Sequence, residues 1–268
     1  MINFKTDFIC GRKFQLIADI VIDTDRSDNL KTMKNKSIIW CKTDFVRGLF
    51  NETKNDKNDY FLITHNSDYS ITEDVFQLRP KCIKKWFAQN VDYKHNDLVP
   101  LPIGLENDIG PSKGAYTDYD VMGKSIFNLG QRIIDKVYCN FNVLNCNKRN
   151  KVIGSLCRND IAVLSPRLNY SDYCSDLSKY KFIASPRGNG IDCHRTWEAL
   201  YIGCIPIVEK HFMYDTYDLP IIQVDEWEMV DRTFLSNVDK YICNKVYNYD
   251  QLKIEYWFSE ISKERDLL

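Results

Sequence analysis

Several charged side chains and glycines lie within residues 185–208, whose sequence is SPRGNGIDCHRTWEALYIGCIPIV. The rest of this segment has the pattern of a strand, a helix and a second strand. The apolar run before them predicts a strand that ends near Ser185, and Pro186 stops it. The glycines of the next turn let backbone approach a ligand closely, because they have no Cβ. The helix that follows begins with unpaired N–H groups, and such a helix end favours an anion.

The helix predicted to begin after residue 192 places three polar residues on one side. Arg195 and Glu198 are three residues apart, and His194 and Glu198 are four apart. Glu198 lies about 9 Å along the helix axis from Asp192, the predicted N-cap, which is the separation of a phosphate at the helix tip from a ribose beside the second turn. A carboxylate is a common acceptor for ribose hydroxyls.

These residues predict a site for a diphosphate and its ribose. We expect the phosphates near Arg187 and Arg195, and the ribose at Glu198. A solvated Arg–Glu pair, a plain glycine turn and a packed or capping His194 are the alternatives for the same residues. The complete predicted site consists of Ser185, Arg187, Gly188, Asn189, Gly190, Asp192, His194, Arg195 and Glu198.

The rest of the chain predicts an α/β fold with parallel sheets, because short apolar runs alternate with helical segments. Residues 71–90 predict a helix, a break at Pro80 and a second short helix, whereas 109–125 predict a loop. A helix is expected at 171–180, with Ser171 as its N-cap. The other runs predict strands at 15–22, 37–46, 60–64, 98–107, 136–143, 181–185, 204–208 and 219–224 and helices at 125–136 and 251–268.

Composition narrows the classes of protein that the chain could belong to. The 268 residues are 44% apolar, with a mean hydropathy of -0.39 and a formal net charge of -1. This net charge gives no overall positive electrostatic potential that would attract nucleic acid or an anionic membrane. No segment has the ~18 consecutive apolar residues of a membrane span. The first residues do not have a signal-peptide pattern, so we expect a cytoplasmic protein. The ten scattered cysteines then predict reduced thiols rather than disulfides.

Residues 182–208 resemble the donor-binding signature of exostosin-like (family 47-type) glycosyltransferases, in particular the short forms of large DNA viruses and bacteria and the related ribitol β-xylosyltransferases. The same stretch is more distantly similar to the C-terminal motif of α1,3-fucosyltransferases. Further pieces at 99–107, 139–149 and 219–230 extend the resemblance over residues 60 to 230.

The resemblance implies a GT-B fold, in which two Rossmann-like domains with parallel sheets face each other across a cleft. It implies an acceptor-side domain at 1–132, a nucleotide-sugar domain at 133–250, and a final helix at 251–268 that crosses back. It also implies an inverting transfer to a glycan hydroxyl without a metal or other cofactor. UDP-xylose is the first donor it suggests, with UDP-GlcNAc, UDP-galactose and GDP-fucose open, and Arg149 is an added phosphate contact.

An inverting transfer needs a base for the acceptor hydroxyl. His65 and Asp68 follow the strand predicted at 60–64, and the carboxyl edge of an α/β sheet is where such sites lie. Asn66 and Glu73 are expected on the acceptor side, and Asp44 is a further candidate. The alternative for this loop is ordinary turn chemistry, with Asp68 as the N-cap of a helix at 70–76.

Other motifs in the chain suggest a metal site, a dehydrogenase or a related protein of the same fold. Asp23-Thr24-Asp25 and Asp118-Tyr119-Asp120 have the D-x-D form that can hold a divalent cation beside a diphosphate, but the donor motif lies elsewhere. A dehydrogenase is excluded because Cys193 replaces the third glycine of G-x-G-x-x-G and Lys210 replaces the acidic residue. A protein of the same fold that binds the nucleotide sugar or glycan without turnover, or a fucosyltransferase-like enzyme, is the alternative.

Overall fold

The computed structural model describes residues 7–107, 132–146 and 148–267. The chain is mixed α/β, with two sheets of five parallel strands, which confirms the predicted class. It divides into two compact units. We call the described parts of Ile9–Gly104, Gly190–Asp192 and Lys253–Leu268 the amino unit, and the described parts of Met1–Phe8, Leu105–Asn189 and Cys193–Leu252 the carboxyl unit.

The sheet of the amino unit has its strands in chain order. Residues 37–42 and 60–65 form two of its three interior strands, which are mostly apolar, as expected where both faces of a sheet are covered, and Ser37 pairs with Tyr60 in their register. The elements of this unit are β1 (Ile20–Ile22), β2 (Ser37–Lys42), α1 (Val46–Thr53), β3 (Tyr60–His65), α2 (Glu73–Gln77), β4 (Ile83–Ala88), β5 (Leu98–Pro100) and α7 (Ile254–Leu267).

Four predictions in the amino unit were wrong in type or in extent. The strand expected at 37–46 ends at Lys42, and the strand expected at 98–107 ends at Pro100. The second helix expected within 71–90 is β4, whose Trp86 and Phe87 are buried between β3 and β5. A six-residue segment between two paired neighbours gains more from sheet hydrogen bonds than from one helical turn, which is costly to nucleate. The strand expected at 15–22 begins only at Ile20, because Lys13–Ile17 forms a 3-10 helix.

Helix α7 packs within the amino unit, as its apolar stripe requires. Ile254, Trp257 and Ile261 are buried, and Phe258 lies 6.5 Å from Phe14 between ring centroids. At the other end of α7, Glu264 pairs with Lys85 of β4 at 3.0 Å.

The sheet of the carboxyl unit changes direction within its strand order. Its elements are β6 (Ile133–Cys139), α3 (Lys148–Arg158), β7 (Ala162–Leu164), α4 (Tyr170–Leu177), β8 (Tyr180–Ala184), α5 (His194–Ile202), β9 (Ile205–Glu209), β10 (Ile222–Val224) and α6 (Arg232–Cys243). The strands lie in the order β10-β9-β8-β6-β7, so the chain adds strands on one side of β6 and then on the other. The reversal falls between β6 and β8.

Local signals explain the ends of these helices. Asn169, not the predicted Ser171, caps α4, because its side chain accepts a hydrogen bond from the N–H of Asp172. Gly203 ends α5 in the left-handed region at φ 81°, which favours glycine. The helix predicted at 125–136 is wrong for residues 133–136, which belong to β6. The rest of that helix and the loop at 109–125 lie largely outside the described residues, and the predicted boundary between 132 and 133 adjoins them.

Candidate functional site

The carboxyl edge of the second sheet has a crevice at its reversal point. Ligands of open parallel sheets bind outside the carboxyl ends of the strands, where the strand order reverses. Asn140, Phe141 and Asn142 leave β6 at this point, and Ser185, Pro186 and Arg187 leave the neighbouring β8. The motif that the sequence singled out therefore begins at the reversal.

Two guanidinium groups meet at Phe141. Arg195, on the first turn of α5, lies 5.5 Å from the centre of the Phe141 ring, and Arg149, on α3, lies 5.7 Å from it. Arg195 also donates from Nε to the carbonyl of Asn140 at 2.8 Å. Its other two guanidinium nitrogens form no hydrogen bond to a residue in the described ranges. Among the described residues, the Arg195 guanidinium in the crevice is thus held by one hydrogen bond, from its Nε.

Arg149 is a buried residue that supports the loop after β8. Its guanidinium donates to the carbonyls of Arg187 at 3.1 Å, Asn142 at 2.9 Å and Pro186 at 3.3 Å. A Cβ on Gly188 would lie 3.1 Å from its Nη2, so the glycine lets the loop rest on this side chain. Arg149 therefore positions the loop, and its predicted contact with phosphate stays a prediction.

Arg187 lines a cavity of about 350 Å³ beside the crevice. Its side chain forms no hydrogen bond or ion pair with any described residue, whereas its backbone N–H donates to Glu209 at 3.2 Å. A partly exposed guanidinium without an internal partner can take an anion. The cavity is lined by Lys148, Lys151, Val152, Ser155, Arg187, Glu209, Asp225, Glu226, Trp227 and Glu228.

The start of α5 differs from the prediction by one residue. Cys193, not Asp192, is at the N-cap position, and its side chain makes no capping hydrogen bond. Ser185 is buried and shares a hydrogen bond of 2.9 Å with the hydroxyl of Thr196, which fixes the helix to the end of β8. Ser185 therefore has a structural role. His194 is half-buried at the first position of the helix, and Asn189 is exposed in the turn before it.

Residues 190–192 pack within the amino unit, where they contact Asn90. The buried Asn90 side chain accepts hydrogen bonds from the N–H groups of Ile191 and Asp192, both at 3.0 Å, and donates to Ser67 at 3.1 Å. A Cβ on Gly190 would lie 2.7 Å from its Nδ2. Gly190 thus allows a close approach to Asn90, where the sequence suggested a ligand.

Asp192 is also held by protein groups. Its Oδ2 accepts a hydrogen bond of 2.8 Å from the N–H of Ile103, and the residue is buried. The predicted role of Asp192 as N-cap is wrong because the helix begins one residue later. Its predicted place in the donor site is left without support from these contacts.

Glu198 faces α4. Its Oε2 accepts a hydrogen bond of 3.0 Å from the hydroxyl of Tyr173. Burial raises the pKa of the Glu198 carboxyl above its ordinary value, although Arg195, His194 and the hydrogen bond from Tyr173 act in the opposite direction. Burial also raises the pKa of Tyr173 well above its ordinary value. Arg195 and Glu198 thus interact electrostatically, as their spacing predicted.

The predicted base residues lie at the carboxyl edge of the first sheet. His65 is buried; its Nδ1 accepts from the N–H of Asn66 at 2.9 Å, and its Nε2 is 3.0 Å from the carbonyl of Pro102. A carbonyl oxygen only accepts, so Nε2 donates to Pro102, and both ring nitrogens have contacts within the protein. Asp68 is exposed in the following loop, which makes it the better candidate of the two.

The other acceptor-side candidates differ in their contacts and in their exposure to solvent. Asn66 takes the left-handed region at φ 60°, and its N–H also donates to Gln89 at 3.0 Å. Glu73 is exposed at the start of α2, and Asp44 is exposed in a 3-10 helix after β2. Thr72, not Asp68, is at the N-cap position of α2, so the capping alternative for Asp68 was wrong.

The D-x-D segments give no metal cluster where they are described. Asp23 accepts a hydrogen bond from Gln15 at 2.8 Å, and Asp25 pairs with Arg12 at 2.9 Å. Asp118-Tyr119-Asp120 lies outside the described residues. Over 7–107, 132–146 and 148–267, no group of three or more His, Cys, Asp or Glu side chains is arranged to hold a metal ion. The same ranges contain no helix long and apolar enough to cross a membrane.

The fold and the crevice define an α/β protein with arginine side chains at the reversal point of a parallel sheet. The chain matches no protein-family model and no curated protein. Sequence reasoning missed three residues at this edge: Phe141, Glu209 and Trp227. Each of the three follows or ends an apolar run, and their position at the end of a predicted strand is the sequence feature that could have identified them.

Proposed function

We propose that the chain is a GT-B glycosyltransferase that binds a nucleotide sugar at the carboxyl edge of the second sheet and transfers the sugar to a glycan hydroxyl. One observation carries the proposal. Arg187 stands at the reversal point, beside a cavity large enough for a nucleoside, and its side chain has no partner among the described residues. The two five-stranded parallel sheets are compatible with two Rossmann-like domains, and the resemblance of residues 182–208 agrees with this reaction.

The proposed reaction is a single displacement. The acceptor oxygen bonds to the anomeric carbon, the bond from that carbon to the phosphate oxygen breaks, and the nucleoside diphosphate leaves with the electron pair. Arg187 and Arg195 would stabilise the negative charge that develops on the leaving group. Asp68 would take the proton of the acceptor hydroxyl. In this scheme the guanidinium groups supply the positive charge that a divalent cation supplies elsewhere.

The choice of donor follows from the resemblance, and UDP-xylose is therefore the first donor to test. The purified chain would be incubated with UDP-xylose, UDP-GlcNAc, UDP-galactose and GDP-fucose, with and without glycan acceptors, and the released nucleoside diphosphate measured. We expect acceptor-dependent release that persists in EDTA. A protein that only binds would be stabilised by a donor yet release no nucleotide.

Arg187→Ala tests the observation on which the proposal rests. Loss of one preorganised donor to a developing charge lowers kcat by ~10²- to 10³-fold. Arg232→Ala is the matched control, because that arginine is exposed and pairs with Asp160 away from the crevice. The proposal fails if no nucleotide sugar binds, or if Arg187→Ala and Arg232→Ala have equal activity. Asp68→Asn should lower turnover while donor affinity is kept.

A further inference from the structure

The cavity of about 350 Å³ contains two kinds of group that a nucleoside diphosphate requires. Lys148 and Lys151, on the first turns of α3, join Arg187 in its lining. Among the described residues, the side chains of Arg187 and Lys148 form no hydrogen bond or ion pair, whereas Lys151 interacts electrostatically with Glu228. Glu209, at the end of β9, adds a carboxylate to the same lining. Cations suit the phosphates, and a carboxylate suits groups that donate hydrogen bonds.

Glu209 is held in place by two N–H donors. Its Oε2 accepts from the backbone N–H of Arg187 at 3.2 Å, and its Oε1 accepts from the indole N–H of Trp227 at 3.3 Å. Trp227 is buried, so the indole is a fixed support. Each carboxylate oxygen can accept two hydrogen bonds, which leaves one acceptor position on each oxygen for two adjacent hydroxyls.

Glu198, the carboxylate that the sequence suggested for the ribose, has a different environment. Its Oε2 already accepts from the hydroxyl of Tyr173, a buried residue of α4. Glu198 is not among the residues that line the cavity, whereas Glu209 and Arg187 both are. Glu209 is therefore better placed to bind a ribose that is attached to a phosphate at Arg187.

We propose that Glu209, rather than Glu198, accepts the hydrogen bonds of the donor's ribose hydroxyls, and that this cavity holds the nucleoside half of the donor. The inference rests on the proposed function for the identity of the ligand. It makes Glu209 a residue that selects ribonucleotides over deoxyribonucleotides, because a site built to bind a hydroxyl discriminates against the analogue that lacks it.

The test compares UDP with 2′-deoxy-UDP, and GDP with 2′-deoxy-GDP, by calorimetry on the full chain. The parent should bind the ribonucleotide roughly 10- to 100-fold more tightly, since a hydrogen bond to a charged group is lost in the deoxy form. Glu209→Gln should weaken ribonucleotide binding and bring that ratio towards one. Glu198→Gln should keep the ratio of the parent. Circular dichroism would show that each variant is folded.

Each outcome distinguishes this inference from the proposed function. If the parent binds UDP or GDP but binds the deoxy form equally well, the ribose assignment is wrong while the nucleotide site stands. If Glu198→Gln removes the discrimination and Glu209→Gln keeps it, Glu198 is the ribose residue. If neither nucleotide binds the parent, the proposed function and this inference both fail. The parent measurement decides the matter of discrimination even if Glu209→Gln does not fold.

Discussion

Replacing Gly190 by alanine should destabilise the amino unit through a single steric contact. The new Cβ would lie 2.7 Å from Nδ2 and 3.0 Å from Oδ1 of Asn90. Asn90 is fully buried, and three hydrogen bonds to Ser67, Ile191 and Asp192 hold its amide in place. If the amide stays, overpacking costs about 1–3 kcal/mol; if it turns away, three hydrogen bonds of about 1 kcal/mol each are lost. The two routes together predict a loss of roughly 1–3 kcal/mol in the free energy of unfolding.

Urea titration and thermal unfolding of the full chain would measure this loss. A drop of roughly 2 to 12 °C in melting temperature corresponds to the expected free energy for a chain of this size. Gly48→Ala is the matched control: Gly48 is exposed in α1 and a Cβ there meets nothing within 4 Å, so that variant should gain about 0.5–1 kcal/mol.

A double-mutant cycle makes the test specific to Asn90. In an Asn90→Ala background the obstructing amide is absent, so Gly190→Ala should cost at least about 1 kcal/mol less than in the parent. The reasoning is refuted if Gly190→Ala has the stability of the parent, or if its cost is the same with and without the Asn90 amide.

Two further predictions concern the carboxyl unit. Arg149→Met should lower the free energy of unfolding, measured in urea, by on the order of 3 kcal/mol, because three backbone carbonyls lose a charged donor. Asn150→Ala, at the exposed neighbouring residue, is the control and should leave this free energy nearly unchanged. Equal effects of the two substitutions would contradict the role of Arg149. Burial raises the pKa of Glu198, so the folded state holds its proton more tightly than the unfolded state, and this stabilisation is lost as pH rises from the ordinary pKa of glutamate through the raised one. Unfolding in urea from about pH 5 to about pH 8 should therefore show the parent losing stability relative to Glu198→Gln; parallel curves would show that the shift is absent.

Much of the fold was predictable because buried parallel strands are continuous apolar runs. Strands were predicted at 37–46, 60–64 and 181–185, and the structure has β2 at Ser37–Lys42, β3 at Tyr60–His65 and β8 at Tyr180–Ala184. β4 was missed because Ile83–Ala88 is short and follows a proline that also suits a broken helix. Its identity depends on pairing with β3 and β5, and such pairing is a tertiary property that no local window contains.

The candidate site was predictable in its location and less so in its residues. A strand followed by a turn and a helix was predicted for residues 182–202, and the structure has β8 and α5 there; the ligand expected at this turn stays a prediction. The reversal of strand order depends on which strands pair, and the sequence does not encode that locally. Residues distant in sequence then decide individual roles. The Asn90 side chain accepts a hydrogen bond from the N–H of Ile191. Tyr173 donates a hydrogen bond to Glu198, and Trp227 donates one to Glu209.

The amino unit is assembled from three separate pieces of the chain, and this has a consequence for synthesis on the ribosome. Ile9–Gly104 is made early, but its partners at Gly190–Asp192 and in α7 emerge about 90 and 150 residues later. Until then Asn90 has no backbone N–H groups to bind, and Phe14 lacks its neighbour Phe258. The first sheet therefore cannot reach its final stability during translation before the segment beyond Lys253 has left the exit tunnel.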